Sequence, residues 1–485
     1  MKKKMNQILS GLNEVNIYGN KDILIDGIAN DSRKVKQNFI YIAIIGNDLD
    51  GHSFINQSIM NGAVVIICSK IPNKLNRNVT YVIVKNTRKA QGIIASNFYN
   101  NPSKKINVIM VTGTNGKTTV VSLFYSLFMS MKIKVGMLTT IENKINNKTY
   151  SSELTTPDSI QLNNYLSKMV DKKCEYCFME ASSHAIDQLR IYGIRIKAGI
   201  FTNISHDHLD YHLNFKNYID SKKKLFDLLD KKSIALVNND DKRSNYILQN
   251  CFAKKYYYGI KKDSEFSGKI INNSIDGLKF RINNQDIFLK LKGKFNAYNI
   301  LCVYAGSIIL GIKKSNLLEH ISELESPKGR FQFIKNSKGP SILIDYAHTP
   351  DALENVLKTI KGFKVKGKVI SLFGAGGNRD KKKRFFMGEI ASKYSDQIIL
   401  TSDNPRNEDP LDIINDIKLG IKNSKKIVIN VDRKSAIKSA IHNADSKDII
   451  LIAGKGHEDY QEINEKKYPF DDKLVVNRIL NLMKI

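Results

Sequence analysis

A chain of 485 residues, 42% apolar and 25% charged, has the composition of a water-soluble globular protein with room for about three domains of the usual ~100–200 residues, which excludes a disordered tail, a collagen-like repeat and a membrane bundle. The net charge of +29 would ordinarily point to nucleic acid. However, only 13 of the 76 basic residues are arginine, and the lysines are spread from end to end without an aromatic-interleaved stripe or zinc-finger spacing, so no nucleic-acid partner is expected.

At the N-terminus Lys2, Lys3 and Lys4 imitate the charged region of a secretory signal, but Asn6, Gln7, Ser10 and Asn13 leave no apolar segment after it. The longest apolar runs, such as residues 39–45 and 449–453, are strand-sized and far short of the ~20 residues that span a bilayer. No membrane span is expected, and a cytoplasmic location is. Up to about residue 100, short apolar runs at 39–45, 63–68 and 81–84 alternate with Gly- and Asn-bearing turns, the pattern of a small α/β module. An apolar run at 107–112 then meets a glycine turn and a helix-period pattern over 118–129. The turn reads Val111-Thr-Gly-Thr-Asn-Gly-Lys-Thr-Thr119. Between a strand and a helix N-terminus, such a loop cradles phosphates with its backbone N–H groups, Lys117 reaching the β/γ-phosphates and Thr118 ligating Mg²⁺. Its G-x-x-G-K-T spacing from Gly113 to Thr118 is two residues shorter than the common form of this loop.

Cys174 and Cys177 are the only C-x-x-C among five cysteines. With no second pair at zinc spacing, they are expected to be two small half-buried side chains, and the odd total suits a reducing compartment. Phe178-Met-Glu-Ala-Ser-Ser-His184 delivers Glu180 to a strand end, and Phe201-Thr-Asn-Ile-Ser-His-Asp-His-Leu-Asp-Tyr-His212 packs three histidines and two aspartates into twelve residues. After a nucleotide loop, Glu180 and His208 are apt metal ligands beyond Thr118. The polar stretch 322–328, with Pro327, reads as a linker. Beyond it, strands expected at 342–344, 369–373, 397–401, 427–431 and 449–453 interleave with helical stretches such as 351–360 and 433–442, favouring a mostly parallel, doubly wound sheet. Gly374-Ala-Gly-Gly377 could pass for a dinucleotide fingerprint, but Arg379 stands where the third glycine belongs, so NAD chemistry is not expected.

Taken in order, these motifs resemble the Mur ligase family, the ATP-dependent amino-acid-adding enzymes of peptidoglycan synthesis, over nearly the whole chain. The short phosphate loop is that family's form. The resemblance implies an α/β fold of three domains: a UDP-MurNAc-binding module over 1–100, a central P-loop ATPase domain over 101–326 and a Rossmann-like, amino-acid-binding domain over 327–485. Within the family the likeness is closest to members that add the third residue of the stem peptide, acting on UDP-MurNAc-L-Ala-D-Glu as monomers. Asp31-Ser-Arg33 and Asp50-Gly-His-Ser-Phe54 look like the uridine-nucleotide module, with Ser32 and the turn at Asn47 holding the UDP-sugar end.

By the same resemblance Gly113, Thr114, Asn115, Gly116, Lys117, Thr118 and Thr119 hold ATP, joined by Asn299, Arg330, Asp345 and His348. Thr155, Thr156, Ser182, Gln188 and Arg190 match peptide-binding positions. Tyr218-Ile-Asp-Ser-Lys222 matches the segment whose lysine is carbamylated, which lets Thr118, Glu180, His208 and Lys222 hold two Mg²⁺ ions. The catalytic groups would be Lys117, His208, Lys222 and Asp345. Asp403-Asn-Pro-Arg406 resembles the signature of members that take meso-diaminopimelate, with Arg406 the fork for its distal carboxylate. Arg379, Asp403, Asn404, Pro405, Gly454 and Glu458 complete that pocket, with Glu458 suited to the ammonium. Two positions depart from the pattern: Asn378 replaces a frequent Asp, and Leu213 a frequent glycine. The alternatives are the same reaction with L-lysine or another amino acid, a folylpolyglutamate-synthetase-like ligase, and, from another class, a basic nucleotide-binding protein acting on nucleic acid.

Overall fold

The computed structural model describes residues 2–483 apart from 14, 47, 48, 316, 335, 337, 338 and 423–425. Its main framework is three β-sheets in sequence order. The first has the strand order Asn16–Tyr18, Thr80–Ile83, Ala63–Cys68, Phe39–Ile42, Gly27–Ala29, parallel except for its first member. Alternate side chains cover both faces: Ile40, Ile42, Val65, Ile67 and Val82 pack on helix Thr87–Phe98, and Tyr41, Ile66, Cys68 and Tyr81 pack on the side of Ile55. Sheets buried on both faces require such continuous apolar runs. The strand expected over 39–45 stops at Ile42, where Ala43 still bonds the Ile67 carbonyl before the chain turns through Gly46.

The central sheet is built on six parallel strands in the order Val135–Leu138, Tyr176–Glu180, Asn107–Thr112, Ala198–Phe201, Ile234–Asn238, Lys254–Gly259. Helices Lys117–Ser130 and Lys294–Ile309 cover one face through Val120, Phe124, Leu127, Ile300 and Leu301. Helices Ser159–Asp171 and Phe215–Asp227 cover the other through Leu162, Leu166, Leu225 and Phe226. Strand Asn107–Thr112 lies inside the sheet, with later strands added on either side of it. Its carboxyl end is therefore a topological switch point, where open α/β sheets bind ligands. Strand Phe266–Asn273 then begins a meander with Leu278–Ile282 and Gln285–Leu289, which pair antiparallel.

Cys177 sits in a strand bonded on both sides and is 0% exposed, and Cys174 is 4% exposed. The pair is thus fully buried instead of half-buried, and all five cysteines are free thiols. The third sheet, in the order Gln332–Ile334, Ser341–Asp345, Ile449–Ala453, Val369–Phe373, Gln397–Leu400, Lys426–Ile429, is parallel apart from its first strand. The strand expected at 427–431 is displaced by one residue at its start and ends two earlier. Among the described residues no helix is long and apolar enough to cross a membrane.

Candidate active site

At the switch point, strand Asn107–Thr112 runs into the loop Gly113–Gly116 and helix Lys117–Ser130. Gly113 and Gly116 have φ of 153° and 87°, and a Cβ at Gly113 would stand 2.0 Å from Thr202 Oγ1. Only glycine admits that approach. Lys117 Nζ donates to the carbonyls of Gly113 and Thr114, both at 3.0 Å, and Lys222 Nζ donates to the same Gly113 carbonyl at 2.8 Å. Burial pushes the Lys117 ammonium below the ordinary lysine range, with Arg330 adding to the shift and Glu180 and Asp207 opposing it. Lys222, 1% exposed, is driven well below that range by burial and by Lys117, against the pull of Asp207. Two lysines sharing one acceptor inside a dry site favour a neutral amine on Lys222.

Glu180, at the end of strand Tyr176–Glu180, is 1% exposed and accepts from Thr140 N at 2.8 Å and Thr140 Oγ1 at 3.1 Å. Thr155 Oγ1 lies 3.1 Å from Thr140 Oγ1, whose single proton serves Glu180, and Thr156 Oγ1 donates to the Glu180 carbonyl at 2.8 Å. Ser182 N donates to Thr156 Oγ1 at 3.1 Å. Arg190 donates to the Thr156 carbonyl at 3.0 Å and grips Gln188 Oε1 through Nε and Nη2 at 3.0 and 2.6 Å. Thr155, Thr156, Ser182, Gln188 and Arg190 thus form one connected wall ending at Glu180. His208, at φ 53°, lies 3.5 Å from Asp207 Oδ2 with its ring 4.8 Å from that of His184. Burial lowers its pKa despite Asp207, and His184, Lys117 and Lys222 lower it further, so the imidazole is neutral and has a lone pair to offer.

From the third domain, Arg330 Nη2 donates to Thr118 Oγ1 at 3.1 Å, with the guanidinium 4.5 Å from the centre of the Tyr346 ring. Asp345 accepts from Phe331 N and Ala347 N, both at 2.7 Å; burial raises its pKa, against the opposing effect of Arg330. His348 Nδ1 bonds the Tyr346 carbonyl at 2.8 Å. Asn299 lies beneath the phosphate loop, since a Cβ at Gly116 would be 2.8 Å from its Oδ1. Lys383 reaches Asp207 at 2.6 Å, and Asp351 reaches Asn115 at the same distance. Sequence reasoning named none of these last contacts except Asn115. Asp351 lies three residues after His348, which the family likeness had named, and could have been noticed there.

A second cluster lies at the ends of strands Gln397–Leu400 and Ile449–Ala453. Asn404 Nδ2 donates to Glu458 Oε2 at 2.8 Å, while the fully buried Lys455 donates to Asn404 Oδ1 at 3.1 Å and Glu458 Oε2 at 3.0 Å. Lys455 was missed in the sequence although it lies next to Gly454. Gly454, at φ 111°, allows Asp403 to approach: a Cβ there would be 2.2 Å from Asp403 Oδ2. Arg406 donates through Nε to Glu462 Oε2 at 3.0 Å and through Nη1 to the Gly377 carbonyl at 2.7 Å. The Pro405 carbonyl packs on Gly377, where a Cβ would come within 1.9 Å of it. Arg379 is exposed at the rim, beside Gly376. Ser32 is buried in the first domain with its carbonyl bound by Asn61 Nδ2 at 2.8 Å, and none of the bonds described above reaches it. Asn47 lies outside the described residues.

Three family models match the chain in succession: the Mur ligase family catalytic domain over residues 24–99, the Mur ligase middle domain over 111–306 and the Mur ligase glutamate ligase domain over 329–456. The UDP-N-acetylmuramoyl-L-alanyl-D-glutamate–2,6-diaminopimelate ligase of Cytophaga hutchinsonii is 45% identical over 97% of each chain, and that of Bacteroides fragilis is 45% identical over 99% of each. The chain belongs to the Mur ligase family. Like other Mur ligases it is an ATP-dependent ligase. A solved structure of a UDP-N-acetylmuramoyl-L-alanyl-D-glutamate–2,6-diaminopimelate ligase, 29% identical, superposes with a TM-score of 0.70 over 100% of both chains. The Mur ligase fold persists at 17% identity in MurF of Acinetobacter baumannii, with a TM-score of 0.66 over 93% of this chain and 94% of that one.

Proposed function

We propose that this ligase joins meso-diaminopimelate to the γ-carboxylate of D-Glu in UDP-MurNAc-L-Ala-D-Glu, in the cytoplasm and as a monomer. The first domain, 1–100, would bind the UDP-sugar, 101–326 would bind ATP, and 327–485 the amino acid. A carboxylate is a poor electrophile, so an oxygen of the D-Glu γ-carboxylate attacks the γ-phosphorus of ATP and ADP departs. The amine nitrogen of diaminopimelate then attacks the carbonyl carbon of the acyl phosphate, phosphate leaves, and the ammonium proton passes to solvent or a site base. Lys117 offsets negative charge as the phosphoryl group moves. Thr155, Thr156, Ser182, Gln188 and Arg190 orient the dipeptide end, Asn299, Arg330, Asp345 and His348 border the nucleotide, and Ser32 with Asn47 holds the uridine end.

Thr118, Glu180, His208 and a carbamylated Lys222 are suited to Mg²⁺, a hard cation that takes oxygen ligands and would supply positive charge to the triphosphate and carboxylate. No group of three or more His, Cys, Asp and Glu converges among the described residues. The neutral amine of Lys222 supports its capture of CO₂, giving a carbamate and one released proton. The change turns a neutral amine beside Lys117 into an anion that attracts it.

The observation that carries the amino-acid assignment is the hydrogen-bonded join of Asn404 to Glu458 at 2.8 Å. It joins the Asp403–Arg406 loop to the Gly454–Glu458 loop, so that on this reading a carboxylate for a distal ammonium and a guanidinium for a distal carboxylate stand on adjoining loops. Glu462 and Gly377 fix Arg406 through Nε and Nη1, leaving Nη2 for the ligand. Relatives that share 45% identity carry names for the same substrate pair. Phosphate release from ATP by the purified chain should require UDP-MurNAc-L-Ala-D-Glu and meso-diaminopimelate together. Release that ignores either one, or that DNA or RNA stimulates, would overturn the proposal.

A further inference from the structure

The third domain touches the phosphate loop through a residue that has no part in the reading above. Asp351 lies in the first turn of helix Pro350–Lys361, whose start is capped by Thr349 Oγ1 accepting from Ala352 N at 3.3 Å. Its Oδ2 accepts from Asn115 Nδ2 at 2.6 Å and from Ser205 Oγ at 3.0 Å. Asn115 is the middle of the phosphate loop, and its main chain is already bound to the loop after strand Ala198–Phe201. Its N–H donates to Asn203 Oδ1 at 2.9 Å, and its carbonyl accepts from Thr202 Oγ1 at 2.7 Å and Asn203 Nδ2 at 3.0 Å. Ser205 is likewise bound to Thr114, donating from its N–H to Thr114 Oγ1 at 3.0 Å and accepting from that hydroxyl at 3.2 Å. One carboxylate oxygen on a helix of the third domain therefore gathers donors from two loops of the central domain, both bordering the phosphate cradle.

We propose that Asp351 is a positioning residue for ATP, setting the Asn115 side chain, and with it the phosphate loop, when the third domain is seated. The inference rests on the placement of ATP at this loop. Charge alone argues the other way, because a carboxylate beside a triphosphate site repels the ligand. The sign of the effect is therefore diagnostic: if Asp351 were only a nearby negative charge, its removal would tighten ATP binding, whereas loss of a positioning residue weakens it.

The test is initial-rate kinetics of phosphate release with ATP varied. Asp351→Ala should raise KM for ATP on the order of tenfold, as expected for losing hydrogen bonds to a charged group, while KM for the amino acid stays within about twofold. Asp351→Asn, which keeps an oxygen acceptor at the same reach, should recover most of the loss. In an Asn115→Ala background, Asp351→Ala should add little. A KM for ATP that is unchanged or lowered, or an equal added cost in the Asn115→Ala background, overturns the inference. Asp351→Ser, too short to reach Asn115, gives the same readings should the alanine variant not fold. Lys117→Ala run alongside separates the two failures. If it too leaves turnover untouched, ATP is not at this loop; if it removes turnover while Asp351→Ala changes nothing, only the inference fails.

Discussion

Lys117 and Lys222 place two amine nitrogens on the single carbonyl of Gly113, at 3.0 and 2.8 Å. In a buried site the two cannot both be charged without a large cost, and Lys222, deeper among Tyr218 and Ser221, is driven well below the ordinary lysine range by burial and by Lys117. From this follows the expectation that Lys222 is carbamylated. Mass analysis of the intact protein in bicarbonate should show the added mass of CO₂, and short-chain carboxylates should partly rescue Lys222→Ala; a free amine with no rescue contradicts the role. Lys117→Ala should fold normally and lose at least ~10²-fold in turnover, the usual scale for a contact made to developing charge. More than about a tenth of wild-type turnover would remove Lys117 from the chemistry. Both lysines were legible in the sequence, Lys117 from its loop and Lys222 by family likeness, but their shared acceptor was not. That contact joins residues 109 positions apart, and no local pattern encodes it.

Elements carry the site by where they end. Helix Lys382–Tyr394 buries Arg384, whose side chain is 2% exposed and pairs with Glu408 and Asp416, both at 2.9 Å. Glu408 follows the Asp403–Arg406 loop closely, so this ion pair anchors the loop to the helix. Its hydrogen bonds to Arg384 hold the Glu408 carboxyl down at about 2, against an ordinary glutamate value near 4.5. A carboxyl lowered by folding stabilises the fold above its unfolded pKa, and that stability is lost as pH falls through the folded pKa. Thermal midpoints should therefore drop between about pH 4.5 and 2, and Glu408→Gln should start lower and show a shallower drop; parallel curves for the two proteins would refute this.

Strand and helix identities in the parallel sheets were readable because their apolar runs are continuous and flanked by Gly and Asn turns. The meander from Phe266 to Leu289 was not, because Lys269, Asn272, Lys279, Arg281 and Asp286 on its exposed face break the run. Leu213 is instructive in the opposite way. It stands at φ 66°, a left-handed conformation that glycine adopts without strain, and its side chain lies 80% exposed.

At the scale of the whole molecule, the polar contacts that seat the third domain on the central one include Arg330 to Thr118, Asp351 to Asn115 and Lys383 to Asp207, at 3.1, 2.6 and 2.6 Å. Each ends on, or within one residue of, a group proposed for ATP or metal, so on the proposed reading nucleotide binding and domain seating act on the same side chains. The sequence pointed to candidate motifs, yet it could not show that motifs more than 170 residues apart meet face to face. The amino-acid pocket is a similar case, because Lys455 and Glu462 complete it without belonging to the signature tetrapeptide that pointed there. Lysine would leave the donors of Arg406 that Glu462 and Gly377 do not take without the ligand's carboxylate, and a site built for a missing polar group can reject the analogue by as much as ~10⁴-fold. The most direct test is kcat/KM for meso-diaminopimelate against L-lysine, measured as phosphate release with UDP-MurNAc-L-Ala-D-Glu and ATP at saturation. The account predicts a preference for diaminopimelate of at least ~10²-fold that collapses in Arg406→Ala; equal efficiency with the two amino acids, or undiminished use of diaminopimelate by Arg406→Ala, would contradict it.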